Sequence, residues 1–184
     1  MSSVILFTQM SRKSLYFIIF IVSASAVFGL YMQKSRSPKS LSEQKETVTS
    51  GSFDSDKIKT NDEWRKILTP EQFHILREAG TEIPFTGALN HETRKGMYYS
   101  AGCNEPVFRS EQKFDSGTGW PSFWAPVSDD SLVLRTESGP GDTRTEVLDK
   151  CGGHLGHVFD DGPKPTGKRY CMNSGALVFV PDGN

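Results

Sequence analysis

The sequence predicts a mainly β protein whose core is an antiparallel sandwich or barrel, preceded by short helices. From Lys95 onward, short segments suited to strands alternate with glycine and proline, as in antiparallel strands joined by turns. Upstream of Lys95 the chain instead carries helix-start signals. The sequence contains no internal repeat.

Seven short strands are expected in the β region. In chain order they are Met97–Ser100, Pro106–Arg109, Leu132–Thr136, Thr143–Leu148, His157–Phe159, Arg169–Asn173 and Ala176–Val180. Turn-forming residues lie between them, which favours a sandwich or a barrel-like core.

Two helices are predicted before the strands. Asn61 and Asp62 are expected to cap a short helix whose apolar residues are Trp64, Ile67 and Leu68. The next helix has a clear start at 69–72 (Thr-Pro-Glu-Gln), where threonine is the N-cap, proline takes the first helical position and glutamine completes a capping box. This helix should end near Gly80.

Residues 15–32 form an uncharged, largely apolar run of about eighteen residues, preceded by Arg12 and Lys13. This length is at the lower edge for a membrane span, and Ala24-Ser25-Ala26 also fits the cleavage site of a secretory signal. A cleaved signal, a retained anchor and an organellar presequence all stay open. We expect residues 1–33 to be a signal peptide or a membrane anchor, which places the protein outside the cell or on a membrane, with an organelle as the alternative.

Residues 34–60 are rich in serine, lysine, threonine and glutamate and contain few large apolar residues. This composition predicts a flexible linker. The folded domain is expected to occupy residues 61–184.

The charge of the 184-residue chain is unevenly distributed, although the formal net charge is only −1. Residues 1–42 contain five basic residues and no acidic ones, so the rest of the chain carries a net charge of −6. An acidic body without a basic stripe argues against nucleic acid as a partner. Three cysteines are also too few for a disulfide scaffold.

Residues suited to chemistry are concentrated in 152–163 (GGHLGHVFDDGP) and just after it. They are His154, His157, Arg169, Cys171 and Asn173. Residues two apart on a strand point to the same face, so Arg169, Cys171 and Asn173 would share one surface. A thiol becomes a useful nucleophile when a nearby base or cation favours its thiolate. Each residue alone is more often structural, but the set predicts a reactive cysteine.

The segment 113–124 (KFDSGTGWPSFW) predicts a stiff loop that presents large aromatic side chains. Gly117 and Gly119 permit positive φ angles, and Pro121 fixes the chain after Trp120. Such a loop can line a small apolar pocket. An aromatic corner of the core is the alternative.

Three stretches resemble the signature blocks of the B-type methionine sulfoxide reductases. They are GTGWPSF at 117–123, GGHLGHVFDDGP at 152–163 and RYCMNSGAL at 169–177. The similarity runs from about Asn61 to Val180, so the resemblance implies that 61–184 is a catalytic domain. It also implies a sandwich or tent of two antiparallel sheets with short N-terminal helices, and the reduction of methionine-(R)-sulfoxide, peptide-bound or free, in the repair of oxidised proteins.

The resemblance also implies roles for the site residues. Cys171 attacks the sulfoxide sulfur, becomes a sulfenic acid and releases methionine. His154 and His157 supply the proton and the hydrogen bond for the oxygen. The supporting residues are Arg169 beside the thiol, Asp161 beside a histidine, Asn173 at the substrate or a water, and Trp120 and Phe159 in the substrate-binding pocket.

A structural zinc site of the family is incomplete in this chain. Many members have two CxxC pairs, but here Ser100 and Leu148 replace the first cysteine of each, leaving Cys103 and Cys151. Two thiolates do not complete a tetrahedral site, so no metal is expected. The family fold brings the two pairs together, which implies a Cys103–Cys151 disulfide; two buried free thiols remain the alternative.

Regeneration of the enzyme has two open routes. Some relatives have a resolving cysteine in the tryptophan loop, where this chain has Thr118. Either Cys103 or Cys151 resolves the Cys171 sulfenic acid, or an external thiol such as thioredoxin does so directly.

Two other classes of protein use similar residues. A Cys–His–Asn peptidase of the papain type would have its histidine far downstream of the cysteine, whereas both histidines here precede Cys171 at short range. A non-catalytic ligand-binding or protein-binding module on the same fold would not need the cysteine, histidine, arginine and tryptophan together. The reductase is therefore the favoured function, with the binding module as the alternative.

Overall fold

The computed structural model of the protein describes residues 47–139 and 142–183. The predicted signal or anchor at 1–33, its apolar run at 15–32 and residues 34–46 of the predicted linker lie outside these ranges. Within them, no helix has the length and apolar character needed to cross a membrane.

The described residues contain ten strands in two antiparallel sheets. The strands are β1 (Thr47–Ser50), β2 (Gly96–Ser100), β3 (Pro106–Arg109), β4 (Lys113–Phe114), β5 (Ser122–Phe123), β6 (Val133–Gly139), β7 (Asp142–Leu148), β8 (His154–Phe159), β9 (Arg169–Met172) and β10 (Leu177–Pro181). The larger sheet has the order β1-β6-β7-β8-β9-β5-β4, and the smaller has the order β10-β2-β3. All pairs are antiparallel, which confirms the predicted mainly β fold with two sheets.

Three strands were not predicted from the sequence. β1 lies in the stretch assigned to the linker, so residues 47–50 of that stretch form a strand. Its residues are all exposed and are held by pairing with β6. β4 and β5 have two residues each and flank the tryptophan loop. An exposed strand and two-residue strands leave no periodic apolar pattern, so only their pairing partners reveal them.

Between residue 47 and β2 the structure has two short α-helices, as expected: α1 (Asn61–Ile67) and α2 (Pro70–Glu78). The cap of α1 differs from the prediction, because Thr60 is the N-cap and Glu63 returns its side chain to the Thr60 backbone N–H at 2.8 Å. Thr69 is the N-cap of α2, as predicted. The helix ends at Glu78, two residues before the expected glycine, and Ala79 is its C-cap in the left-handed conformation. Three 3-10 turns lie at Ser55–Lys57, Ser110–Gln112 and Ser174–Ala176.

Aromatic side chains join the two sheets through the core. Phe123 of the larger sheet stacks on Phe108 of the smaller one, with ring centroids 4.3 Å apart. Tyr98, also from the smaller sheet, meets the Phe123 ring edge-on at 4.9 Å. All three are fully buried, together with Ile75 and Leu76 of α2. Burial of each such side chain contributes about 1.5–3 kcal/mol, and the cluster fixes the position of β5 and hence of the loop before it.

A smaller apolar cluster lies under α1 and α2. Trp64 and Phe73 are buried there with Cys151, and Cys103 packs against them. Cys103 and Cys151 form a disulfide, with Cα atoms 5.6 Å apart. The bond links the turn after β2 in the smaller sheet to the turn after β7 in the larger one.

Candidate active site

The site is centred on Cys171, which lies in β9 between two partner strands. Directly opposite it are His157 of β8 and Ser122 of β5. With Cys103 and Cys151 joined, Cys171 is the free cysteine of the chain, and it is partly exposed. It opens into a pocket of about 150 Å³. Of the predicted residues, the pocket is lined by Trp120, His157, Phe159, Cys171 and Asn173, and it is completed by Thr81, Arg144 and Gly156.

An irregularity in β8 brings the two histidines together. His154 and His157 are three residues apart, so a regular strand would place them on opposite faces. Pairing with β7 shifts by one residue at Leu155, which forms a bulge. The two imidazoles therefore lie on the same side, with their centroids 5.3 Å apart in an edge-to-face arrangement.

Gly156 allows β8 to approach β9 closely next to this bulge. A Cβ atom at position 156 would lie 2.1 Å from the carbonyl oxygen of Cys171. No side chain fits there without moving β9, so the glycine fixes the distance between the histidine strand and the cysteine strand.

His157 faces the pocket and has a carboxylate partner that the sequence did not predict. Its Nε2 lies 3.1 Å from an oxygen of Glu137 in β6. Burial lowers the pKa of His157, and the charges of His154 and Arg144 lower it further. Glu137 partly opposes this, but the pKa stays below its usual value of 6.5. His157 is thus poised to give up a proton readily.

His154 lies behind His157, outside the pocket lining. It is 3% exposed, and its Nδ1 is 2.7 Å from Glu146, a fully buried carboxylate of β7. Arg135 binds the other oxygen of Glu146 at 2.7 Å. Burial alone would raise the pKa of Glu146, but the hydrogen bonds and charges of His154 and Arg135 hold it below 4.5. The His154 Nε2 is buried without a hydrogen-bond partner.

Asp161 does not orient a histidine, contrary to the sequence-based expectation. Its two oxygens accept hydrogen bonds of 2.8 and 2.7 Å from Arg169. The guanidinium also lies over the Phe159 ring, 4.4 Å from its centroid. The pKa of Arg169 is raised, first by Asp161 and then by the proximity of Cys171. Asp161 therefore fixes a permanent positive charge beside the thiol.

Asn173 and Trp120 are held by a residue that sequence reasoning missed, Glu82. The Glu82 backbone N–H donates to the Asn173 side-chain oxygen at 3.1 Å, and its carbonyl accepts from the Trp120 indole at 3.1 Å. The Asn173 amide also donates to the Leu155 carbonyl at 3.2 Å. The Asn173 side chain lines the pocket as expected, but both of these hydrogen bonds join it to the backbone of other segments and so hold the pocket wall in place. The stretch around Glu82 carries no motif that could have signalled this role.

The place of the family zinc site contains a different set of interactions. Cys103, Asp149 and Cys151 have donor atoms within 4.8 Å of one another, but both sulfurs belong to the disulfide. Asp149 accepts hydrogen bonds from the Cys151 and Gly153 amides at 2.9 and 2.7 Å and from the Ser100 hydroxyl. Leu148 offers no ligand atom. In this oxidised form the residues do not fit a zinc ion, because its thiolates are absent and the carboxylate is already bonded.

The fold and the pocket define a thiol-based site in a two-sheet β protein, with the cysteine between an imidazole and a guanidinium and facing an aromatic wall. Comparison with known proteins agrees with this class. The SelR domain matches residues 68–181, and the chain belongs to this family.

Curated relatives carry the name peptide methionine sulfoxide reductase MsrB. The protein from Agrobacterium fabrum is 54% identical over 124 residues, which covers 67% of this chain and 92% of the relative. The one from Leptospira interrogans is 54% identical over 122 residues, 66% of this chain and 93% of the relative. The one from Methanosarcina barkeri is 52% identical over 122 residues, 66% of this chain and 86% of the relative. These matches confirm the family that the three signature blocks indicate.

Proposed function

We propose that this protein is a peptide-methionine (R)-S-oxide reductase and that Cys171 is its nucleophile. The observation that carries the proposal is the position of the free thiol, which opens into the pocket directly opposite His157 and beside the Trp120 and Phe159 rings. Methionine sulfoxide presents an apolar methyl group next to a polar S=O group, which matches a pocket with an aromatic wall on one side and an imidazole on the other.

In the reaction, the Cys171 thiolate attacks the sulfoxide sulfur while the oxygen is protonated. Attack joins the two sulfur atoms, and the S–O bond breaks as the protonated oxygen leaves as water. A water molecule then cleaves the S–S bond and loses a proton, so that a sulfenic acid forms on Cys171 and methionine leaves as the thioether. The methionine sulfur is reduced by two electrons and the cysteine sulfur is oxidised by two. His157 is the proposed proton donor, since it lines the pocket and its lowered pKa favours proton release.

The remaining roles follow from the contacts of each side chain. Arg169, held by Asp161, places its positive charge beside the sulfur of Cys171, where it attracts the negative charge of the attacking nucleophile. Trp120 and Phe159 receive the methyl group and the side-chain carbons. His154 does not contact the substrate; its buried ring packs edge-to-face against the His157 ring and holds it in position.

The test is an epimer-resolved assay on the purified full-length protein. We expect reduction of the R-sulfoxide and no reduction of the S-sulfoxide, and Cys171→Ser should abolish turnover without lowering the melting temperature. A Cys171→Ser protein that still reduces the R-sulfoxide at the wild-type rate would refute the assignment. A wild-type protein that binds oxidised peptides but does not reduce them would favour the binding module instead.

An external thiol is the proposed reductant of the sulfenic acid. Cys103 and Cys151 are bonded to each other. Neither cysteine lines the pocket into which Cys171 opens. Cys151 lies in the turn before β8, three residues before the first residue of the strand whose His157 opposes Cys171. A thioredoxin-like thiol would displace water from the sulfenic acid, and a second thiol would release Cys171 from the mixed disulfide. A double Cys103→Ala/Cys151→Ala variant should retain thioredoxin-supported turnover; loss of turnover in a folded variant would restore the internal route.

Export is the proposed fate of the domain. The apolar run at 15–32 and the Cys103–Cys151 disulfide both support it, because disulfides persist in oxidising compartments. Protease added to intact cells should therefore digest a domain that lies outside the cell, whereas a domain inside a secretory compartment should be protected. In both cases the disulfide should be intact in freshly isolated protein. A fully reduced, cytosolic protein would contradict this.

A further inference from the structure

A chain of three hydroxyl groups leads from the interior of the larger sheet to Cys171. Ser122 is fully buried, and its Oγ lies 2.7 Å from the Oγ of Ser116. The Ser116 Oγ is 2.8 Å from the Oγ1 of Thr118. Thr118 completes the chain, with its Oγ1 3.7 Å from the Cys171 sulfur. At its inner end, the Ser122 hydroxyl lies 3.2 Å from the Trp120 carbonyl oxygen.

The number of hydrogens in the chain fixes its direction. Each hydroxyl donates one hydrogen bond. If Ser122 donates to the Trp120 carbonyl, it must accept from Ser116, and Ser116 must then accept from Thr118. The Thr118 hydrogen is thereby used, so Thr118 can only accept a hydrogen bond from a Cys171 thiol.

The opposite direction satisfies a thiolate. Thr118 then donates to the sulfur, Ser116 donates to Thr118, and Ser122 donates to Ser116. The Trp120 carbonyl loses the Ser122 hydrogen bond, a neutral one. In exchange, the negatively charged sulfur gains a charge-assisted hydrogen bond, which is the stronger kind. The exchange therefore favours the thiolate.

We propose that the Ser122–Ser116–Thr118 chain reverses when Cys171 loses its proton, and that Thr118 thereby stabilises the thiolate by direct donation. Thr118 touches the reacting sulfur and is in this sense catalytic, whereas Ser116 and Ser122 are positioning residues. The proposal rests on the proposed function only in requiring a thiolate at Cys171. The hydroxyls act alongside the other groups that face or approach the sulfur, which are His157 from β8, Arg169 from β9, and Arg144 and Glu137 from the neighbouring hairpin.

Alkylation of Cys171 by iodoacetamide tests this on the oxidised full-length protein, where Cys171 is the free thiol. Thr118→Val removes the hydroxyl at nearly constant shape, and near neutral pH it should slow alkylation by about tenfold, the value of one charged hydrogen bond. Thr118→Ser should restore the wild-type rate. Ser116→Ala leaves Thr118 free to donate, so its rate should equal or exceed that of the wild type. Thr143→Val, an exposed strand substitution, is the control.

Above the ordinary ionisation range of thiols, at about pH 10, the Thr118→Val and wild-type rates should converge because both sulfurs are then thiolates. Three results would overturn the proposal: a wild-type rate for Thr118→Val near neutral pH, a deficit that persists at about pH 10, or equal slowing by Ser116→Ala. Alkylation needs no sulfoxide turnover, so the result is independent of whether the protein proves to be a reductase.

Discussion

Each histidine of the site has its own glutamate, and the two pairs have opposite characters. Glu137 lies beside the pocket and its side chain is 29% exposed, whereas Glu146 is sealed in the sheet. The Glu137–His157 pair can therefore exchange its proton with substrate and solvent, whereas Glu146–His154 cannot do so without unpairing a buried charge. For this reason we propose His157 for the proton transfer and a supporting role for His154.

The pH dependence of the reaction should report on the Glu137–His157 pair. His157 donates only when protonated, that is, below its pKa, which burial has lowered from 6.5. The single-turnover rate should thus fall as the pH rises through that lowered value. Glu137→Gln removes the charge that raises the His157 pKa, so this descending limb should move to lower pH. Glu111→Gln at the surface is the control; an unmoved limb in Glu137→Gln would exclude His157 as the acid.

Glu82 should contribute to both stability and catalysis. Its carboxylate accepts hydrogen bonds from the Ser174 and Gly175 amides at 2.7 and 3.0 Å, while its backbone holds Asn173 and Trp120. Glu82→Gln keeps one acceptor and turns its NH2 group toward an amide, which should lower the free energy of unfolding by about 1–3 kcal/mol.

Looser placement of the Trp120 ring in this variant should also reduce kcat/KM for an oxidised peptide by about tenfold. Urea denaturation and steady-state kinetics measure the two effects. Glu78→Gln, whose partner His74 is exposed, serves as control. Wild-type values for both quantities in Glu82→Gln would show that this residue does not hold the pocket.

At the scale of the elements, strands β6, β7 and β8 form one unit around a buried charge. Arg135 on β6 and His154 on β8 both bind Glu146 on β7 between them. The bulge at Leu155 is what turns His154 toward this carboxylate. The three strands are thus linked by side chains in addition to their backbone ladder.

The Glu146→Gln substitution should weaken this unit in a pH-dependent way. Removing one member of a buried ion pair costs about 3 kcal/mol. Glu146 has a lowered pKa in the folded state, so its stabilisation is present above the pKa of the unfolded chain and is lost as the pH falls through the folded value. The difference in unfolding free energy between wild type and variant should therefore shrink in acid. Urea unfolding at neutral and acidic pH measures it; a pH-independent difference would contradict the charged pair.

At the scale of the whole molecule, one covalent bond stands where much of the family places a metal. The Cys103–Cys151 disulfide closes a loop of 48 residues and links turns from the two sheets. Loop-closure entropy predicts a contribution of about 4 kcal/mol to stability. Reduction, or a Cys103→Ala/Cys151→Ala double substitution, should lower the free energy of unfolding by about that amount.

A chelator should leave the stability of the oxidised protein unchanged, since no metal is expected to contribute. Thermal melts with and without chelator and reductant distinguish stabilisation by the disulfide from stabilisation by a bound metal. Cys171→Ser is the matched cysteine control. One tightly bound zinc ion per chain, or unfolding by chelator alone, would refute the replacement of the metal by the disulfide.

Sequence patterns determined the mainly β class, the start of α2 and the position of seven strands, because short strand-forming segments, turn residues and a capping box are local signals. The arrangement in two sheets was implied only by the family resemblance. The three signature blocks also identified the family. β1, β4 and β5 gave no such signal, since they are exposed or very short and exist through pairing with distant strands. The N-cap of α1 is Thr60, one residue before the predicted Asn61 and two before Asp62. The difference arises because threonine, asparagine and aspartate are all favourable at this position.

The sequence by itself determined the residue types that gather around Cys171. Of these, His157, Asn173 and Trp120 line the pocket, whereas His154 and Arg169 lie next to it. Tertiary structure decided how they are partnered. Asp161 binds Arg169 rather than a histidine, Glu137 and Glu146 take the imidazoles, and Glu82 fixes the pocket wall. The physical reason is that hydrogen bonds and charges act over a few ångströms in space, and strand register and one bulge bring together side chains that are far apart along the chain.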